Sequence, residues 1–195
     1  MELFVNGQKL DIQLENEKTV GDVLKSFEEE CSKTNAATVT VNINGKNISA
    51  QEFDEACKEE LTENTKIELG VVSEAAIKEA FLQQKNEAAR LAEELCSISV
   101  KFQSGKDKEA NSIIASLADL IDNVCHTASL SALFPEAFSK ISIEGKNFSD
   151  FFADFSPILK DFEQAIESKD TVMTGDLAEY EISPRLISLS KALEI

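Results

Sequence analysis

Any chemistry in this chain would have to come from few residue types. It holds one histidine, His126, beside Cys125, three further cysteines at Cys31, Cys57 and Cys96, and 36 Asp or Glu residues. A Cys-His nucleophile pair needs both side chains on one side of their element, whereas adjacent helical residues point about 100° apart. His126 is therefore expected at a surface or boundary position, outside catalysis. The cysteines lie 26, 39 and 29 residues apart with no Cys-x-x-Cys pair. That spacing fits neither a zinc site nor a compact disulfide framework. Each is expected in a helix beside apolar neighbours, where a free thiol packs as a small hydrophobe. Paired carboxylates remain. Asp119 with Asp122 and Asp150 with Asp154 share helix faces. A di-metal bundle, however, needs inward Glu-x-x-His motifs, and a calcium loop needs an Asp-rich run around a central Gly ending in Glu. Neither occurs, and the seven glycines form no phosphate loop. The chain is expected to be no enzyme and to hold no cofactor and no metal.

Composition narrows the partners. At 43% hydrophobic residues the 195-residue chain is ordinary globular material, and 36 acids against 19 bases give a net charge of -17. Affinity for phosphates comes from clustered Lys and Arg, so nucleic acid and anionic lipid are disfavoured. The acidity is spread, with 15 acids and 7 bases in residues 1–72 and 21 acids and 12 bases thereafter. No run of 18 apolar residues exists, and the start Met1-Glu2-Leu3-Phe4-Val5 lacks the pattern of a secretory signal. A soluble cytoplasmic protein with reduced thiols is expected.

The elements that would position partner-binding residues fall into two groups. In residues 1–72, a short β-rich run at 2–5 is followed by Asn6-Gly7, a two-residue hairpin signal, and an alternating return run at 9–14. Thr19 is placed to cap a helix reaching about Cys31, with Val20, Val23, Leu24 and Phe27 on one face. A β-branched strand at 37–43 closes on Asn44-Gly45, a brief extended piece at 47–49 precedes a short helix over about 50–61, and 66–72 reads as a closing strand. This order resembles the ubiquitin-like β-grasp fold. Met1-Glu2-Leu3-Phe4-Val5 opens much like ubiquitin, and Asn44-Gly45-Lys46-Asn47-Ile48 sits where that family turns into its short fourth strand. The resemblance implies a recognition module that offers a sheet face or an edge strand. Conjugated and sulfur-carrying members end in a free Gly-Gly tail, whereas here Gly70 stands alone and the chain runs on through Val71-Val72-Ser73. A modifier role is not expected.

Residues 73–195 read as helices. One long helix is expected from Ser73 to about Phe102, with a seam at Ile77, Phe81, Gln84, Ala88, Leu91, Leu95, Ile98 and Phe102, polar only at Gln84. A second, at about 107–133, carries Ala110, Ile114, Leu117, Ile121, Val124, Ala128 and Ser131 at the same alternation of four and three. Joined by about three residues, the two imply a long antiparallel hairpin. Residues 134–145 read as a linker. From Asn147 a third helix bears the stripe Phe148, Phe151, Phe152, Phe155, Leu159, Phe162 and Ile166, kinked or nearly continuous at Pro157. The run Asp176-Leu177-x-Glu179-Tyr180-Glu181-x-x-Pro184 resembles a small helical domain of uncharacterised bacterial proteins over about 105–193, a resemblance that implies no activity. Pro184, capped by Ser183, then opens a last helix packing through Leu186, Ile187, Leu189 and Leu193.

The fold class expected is α+β: a ubiquitin-like β-grasp domain at 1–72 and an all-α bundle at 73–195. The function expected is a non-enzymatic protein–protein adaptor, monomeric or weakly dimeric, for a basic or mixed-charge protein partner. The phenylalanine stripe is expected first as core; on the rival reading, a groove for a partner helix, the partner-binding residues are Phe151, Phe155 and Phe162, with Asp176 and Tyr180 on one helix face. Two rivals are an acidic cytoplasmic chaperone for a secreted or assembled subunit, such as an export or flagellar one, and an enzyme with a carboxylate-lined interdomain cleft.

Overall fold

The structure, a computed structural model, describes residues 1–11, 14 and 16–194. The chain divides into two compact units, Met1–Ala76 and Ile77–Ile195.

In the first unit, two Asn-Gly turns set the strand pairing. Asn6 and Gly7 have φ of 49° and 80°, and Asn44 and Gly45 have φ of 51° and 84°. Two successive positive φ values are what a tight hairpin matched to the strand twist requires. The first turn joins β1 (Glu2–Val5) to β2 (Gln8–Leu10), and the second joins β3 (Ala36–Ile43) to β4 (Lys46–Asn47). Of the return run expected at 9–14, Ile12 and Gln13 lie outside the described residues. The closing strand β5 (Lys66–Ser73) runs parallel to β1 and antiparallel to β3, giving the sheet order β2-β1-β5-β3-β4. The Asn6 side chain clamps its turn to β5, donating through Nδ2 to the Val71 carbonyl (3.0 Å) and accepting from the Val71 N–H (2.9 Å).

Helix α1 (Val20–Lys33) starts at Thr19, whose hydroxyl accepts from the Asp22 N–H while the Asp22 carboxylate accepts from the Thr19 N–H. This reciprocal pair satisfies donors that a helix start otherwise leaves bare. Val20, Val23 and Leu24 then pack with Leu3, Ile43, Ile67 and Leu69 from one sheet face as the unit's core. The short helix α2 (Phe53–Ala56) is much briefer than expected over 50–61. Gly70 is no remnant of a tail. It lies in β5 opposite a bulge between Thr38 and Thr40, where an added Cβ would stand 2.2 Å from Thr40 Oγ1.

The second unit contains α3 (Glu74–Leu95, whose first turn belongs to the first unit), α4 (Ile98–Gln103), α5 (Asp107–Ser131), α6 (Pro135–Phe138), α7 (Phe148–Glu167), α8 (Thr171–Asp176), a π-helical segment (Leu177–Ile182) and α9 (Ser183–Ala192). The single helix expected from Ser73 to Phe102 is broken at Cys96-Ser97. Side-chain donors take the carbonyls there: Ser97 Oγ donates to Glu94 O (2.8 Å), and Cys96 Sγ and Ser183 Oγ both donate to Ala92 O. Such local bonds compete with the helical ladder. Ser183 therefore ties α9 to α3 and does not cap α9.

The expected linker is partly core. Phe138 and Ile143 are buried, and Phe81 stacks on Phe148 (5.7 Å between centroids) while meeting Phe138 edge-on. Helix α7 runs unbroken through Pro157, which costs the Ala153 carbonyl its partner. Ala153, Ser156 and Pro157 are all exposed, so water can take that carbonyl.

Helices α4 and α8 approach closely because Gly175 has no side chain: a Cβ there would lie 2.5 Å from Ser99 Cβ. Gly175→Ala is expected to cost the helical unit about 1–3 kcal/mol by overpacking. Adding Ser99→Gly should restore most of that in chemical denaturation, and no recovery would show that the close approach is not the cause.

A second expectation concerns the turn after β4. Glu52 accepts from Lys46 Nζ (2.6 Å), Ser49 Oγ (2.7 Å) and the Ser49 N–H (3.2 Å), and these contacts, Lys46 first, bring its carboxyl down from 4.5 to about 2. A depressed folded-state pKa stabilises the fold above the unfolded value and loses that effect as pH falls from about 4.5 through about 2. An NMR titration of Glu52 should place its midpoint near the lower value in wild type and higher in Lys46→Met, though still below the ordinary carboxylate range because both Ser49 hydrogen bonds remain.

Candidate functional site

The buried seam of α3 is the one its spacing predicts: Ile77, Phe81, Gln84, Ala88, Leu91 and Leu95 are all buried. Gln84 is the polar member, and its Nε2 donates to Thr127 Oγ1 (2.7 Å) and to the Asn123 carbonyl (3.1 Å) of α5. Its Oε1 is buried with no donor among the described residues. Because Thr127 must face Gln84, α5 buries Ala110, Ile113, Leu117, Leu120, Val124, Thr127 and Ser131. This corrects the expected seam. Ala110, Leu117, Val124 and Ser131 are shared, but Ile114, Ile121 and Ala128 are left half-buried.

That leftover stripe is one wall of a groove. Ile114 and Ile121 on α5 and Leu159 and Ile166 on α7 line a cavity of about 540 Å³, with the buried Leu117 and Phe162 also in its lining. Each wall thus presents two apolar residues seven apart, and most of the lining is apolar. Ala118, Ser156 and four charged residues, Asp122, Glu163, Glu167 and Lys160, complete the lining. Among the described residues none of the four charged ones has an ion-pair partner, whereas Glu87, Glu94, Glu109, Asp154 and Glu181 are each paired with a Lys or Arg.

The five residues expected to bind a partner do not form one site. Phe151, Phe155 and Phe162 are at most 3% exposed. Their rings are core, the first of the two readings, and the rival reading of these three as a groove falls; of the three, Phe162 alone lines the cavity. The half-buried members of the same stripe, Leu159 and Ile166, are the ones presented. Asp176 and Tyr180 are exposed at the π-helical segment. There the charge and hydrogen bond of Glu179, then burial, then Asp176, raise the Tyr180 phenol above its ordinary value. Val172, Met173 and Ile187 are exposed on the same C-terminal elements, so Ile187 is not on the packing side expected of it.

The residues weighed for catalysis stay apart. His126 is exposed, and so are Cys96 and Cys125, against the expectation that all four thiols are buried; Cys31 alone is fully buried. Partial desolvation of the sulfur by its neighbours first, then the charge of Asp122, pushes the Cys125 thiol up, away from a reactive thiolate. Asp154 is paired with Lys146, and Asp150 bonds to the helix cap Asn147. Among the described residues no group of three or more His, Cys, Asp or Glu is placed to hold a metal ion, and no helix is long and apolar enough to cross a membrane.

Comparison with known proteins follows the same two-part division. Residues 1–73 match a family model described as the TP0873 N-terminal domain. Residues 79–192, more than half of the chain, match the model described as Domain of unknown function (DUF8042). The chain belongs to the DUF8042 family. It is 28% identical over 193 residues to an uncharacterized protein of Treponema pallidum (strain Nichols), covering 99% of this chain and 96% of that protein. No solved structure matches. The DUF8042 span contains the Gln84–Thr127 contact and both walls of the groove.

Thr127→Val should leave the buried Gln84 amide short of an acceptor and destabilise the helical unit by about 1–3 kcal/mol. Ser129→Ala, two residues away on the exposed side, should stay within about 0.5 kcal/mol. Equal effects in urea denaturation would mean that the amide contact carries no weight.

Proposed function

We propose that this chain is a non-enzymatic protein–protein interaction adaptor, whose helical unit receives an apolar segment of a partner in the α5–α7 groove. The groove carries this reading: four half-buried aliphatic residues at helical spacing are more than isolated surface hydrophobes, and such patches mark interaction sites. The same observation favours the chaperone variant, in which the acidic helical unit shields an apolar helix of a subunit awaiting assembly. A cytoplasmic location belongs to the proposal and accords with four free cysteines.

The first unit would act as a fixed ubiquitin-like recognition module. The sheet order β2-β1-β5-β3-β4, with a parallel central pair and α1 on one face, supports that reading. So does the place of Gly70 inside β5. The open sheet face offers Phe4, with Lys66 Nζ 4.8 Å from its ring centre, beside the Lys9–Glu2 and Lys66–Glu68 pairs. In the second unit, the Gln84–Thr127 and Lys101–Glu109 contacts support an antiparallel pairing of α3–α4 with α5.

A photocrosslinking residue at position 121 in source cells should yield a discrete adduct with another protein. The same probe at exposed Val100 on α4 should yield none. An absence of adducts from position 121, or equal labelling from both positions, would count against the adaptor reading.

A further inference from the structure

The charge around the groove goes further than its apolar lining, and the step rests on the adaptor reading above. Helices α5 and α7 together carry nine Asp or Glu residues and two Lys. At the groove itself Asp122, Glu163 and Glu167 stand against the single Lys160. Among the described residues no Lys or Arg, Lys160 included, forms an ion pair with any of the three acids, whereas Glu30, Glu52, Glu87, Glu109 and Asp154 are each paired with one. An apolar floor with an unneutralised acidic rim is complementary to a segment that is apolar on one side and basic on its flanks.

The spacing identifies the shape of that segment. Ile114 with Ile121, and Leu159 with Ile166, repeat at seven residues, or roughly 10.5 Å along each helix. A third helix laid between them would present its own apolar residues at the same interval, as in helix-in-groove recognition. An extended strand rises about 3.3 Å per residue and would bring alternate side chains round to the wrong face. We infer that the α5–α7 groove binds a basic amphipathic helix of a partner protein, with Ile114, Ile121, Leu159 and Ile166 taking its apolar stripe and Asp122, Glu163 and Glu167 taking its lysines or arginines.

The test uses the full chain and three labelled synthetic peptides of about 18 residues, roughly 27 Å as helix. All carry leucines at i, i+3, i+4 and i+7; the remaining positions are Lys in one, Gln in the second and Glu in the third. A fourth peptide keeps the Lys content with the leucines scrambled. Fluorescence anisotropy should show the Lys peptide binding about tenfold or more tightly than the Gln peptide, with the Glu and scrambled peptides weaker than both. Its affinity should fall with added salt. Ile121→Ser with Leu159→Ser should abolish binding of both the Lys and Gln peptides, and Asp122→Lys with Glu163→Lys should weaken the Lys peptide about tenfold while sparing the Gln peptide. The charge pair lies on exposed positions, so it keeps the test open if the serine variant fails to fold.

Equal binding of the Lys and Gln peptides, both lost in the serine variant, would overturn the basic helix and leave the adaptor reading standing. Lys-peptide binding that survives both variants, or is matched by the scrambled peptide, would reduce the attraction to net charge and overturn the proposal. Binding of no peptide would overturn both. Sedimentation showing a dimer that the serine variant dissolves would assign the groove to a second copy of the chain, and the basic helix would fall.

Discussion

The hydrogen bond from Gln84 to Thr127 decides how the helical unit is assembled. A buried amide without partners costs more than any single well-made bond returns, so the position of its acceptor is a constraint on the neighbouring helix. Helix α5 carries two overlapping apolar seams of nearly equal size. One has Ile113, Leu120 and Thr127; the other has Ile114, Ile121 and Ala128, and the two share Ala110, Leu117, Val124 and Ser131. Hydrophobic area does not choose between them, and by apolar content alone the second has the advantage. The Gln84 amide reverses that preference by requiring Thr127 to face it. Everything the second seam would have buried is then turned toward α7.

The groove is a consequence of that choice. On α7 the fully buried positions are Phe151, Phe155, Phe162 and Ala165, which leaves Leu159 and Ile166 at the boundary, opposite the unused stripe of α5. The net charge of -17 thereby gains a local meaning. Many carboxylates are paired on their own helix, as Glu87 and Glu94 are with Arg90, and such exposed pairs contribute little to stability. The three acids at the groove have no ion-pair partner among the described residues, and an unpaired acid beside apolar surface acts mainly by selecting and steering what approaches.

Legibility in the sequence followed the range of the interactions involved. Both Asn-Gly turns, the Thr19–Asp22 capping box and the seam of α3 are set by residues within a few positions of one another, and each is readable without the rest of the fold. The break at Cys96-Ser97 was not, because one of its three donors, Ser183, arrives from α9, 91 residues beyond the carbonyl it caps. Phe138 and Ile143 read as linker because they sit between Pro135 and Gly145, yet Phe81 and Phe148 draw that stretch into the core. The groove was half legible. Ile114, Ile121, Leu159 and Ile166 were all marked as apolar stripe positions, but stripe membership does not tell a floor from a rim. Thr127, the residue that settles the matter, carries no periodic signal of its own. Phe151, Phe155 and Phe162 are legible as core from their size and spacing, because large aromatic side chains are the ones a core takes first.

The phase of α5 is the point on which the rest stands, and two adjacent truncations read it directly. Leu120 is buried and Ile121 is half-buried. The urea-induced unfolding of the helical unit, followed by circular dichroism, measures the stability each side chain contributes. With Thr127 facing Gln84, Leu120→Ala costs about 2–4 kcal/mol and Ile121→Ala less than about 1.5 kcal/mol. Equal costs, or a larger one at Ile121, would place the other seam in the core and remove the groove.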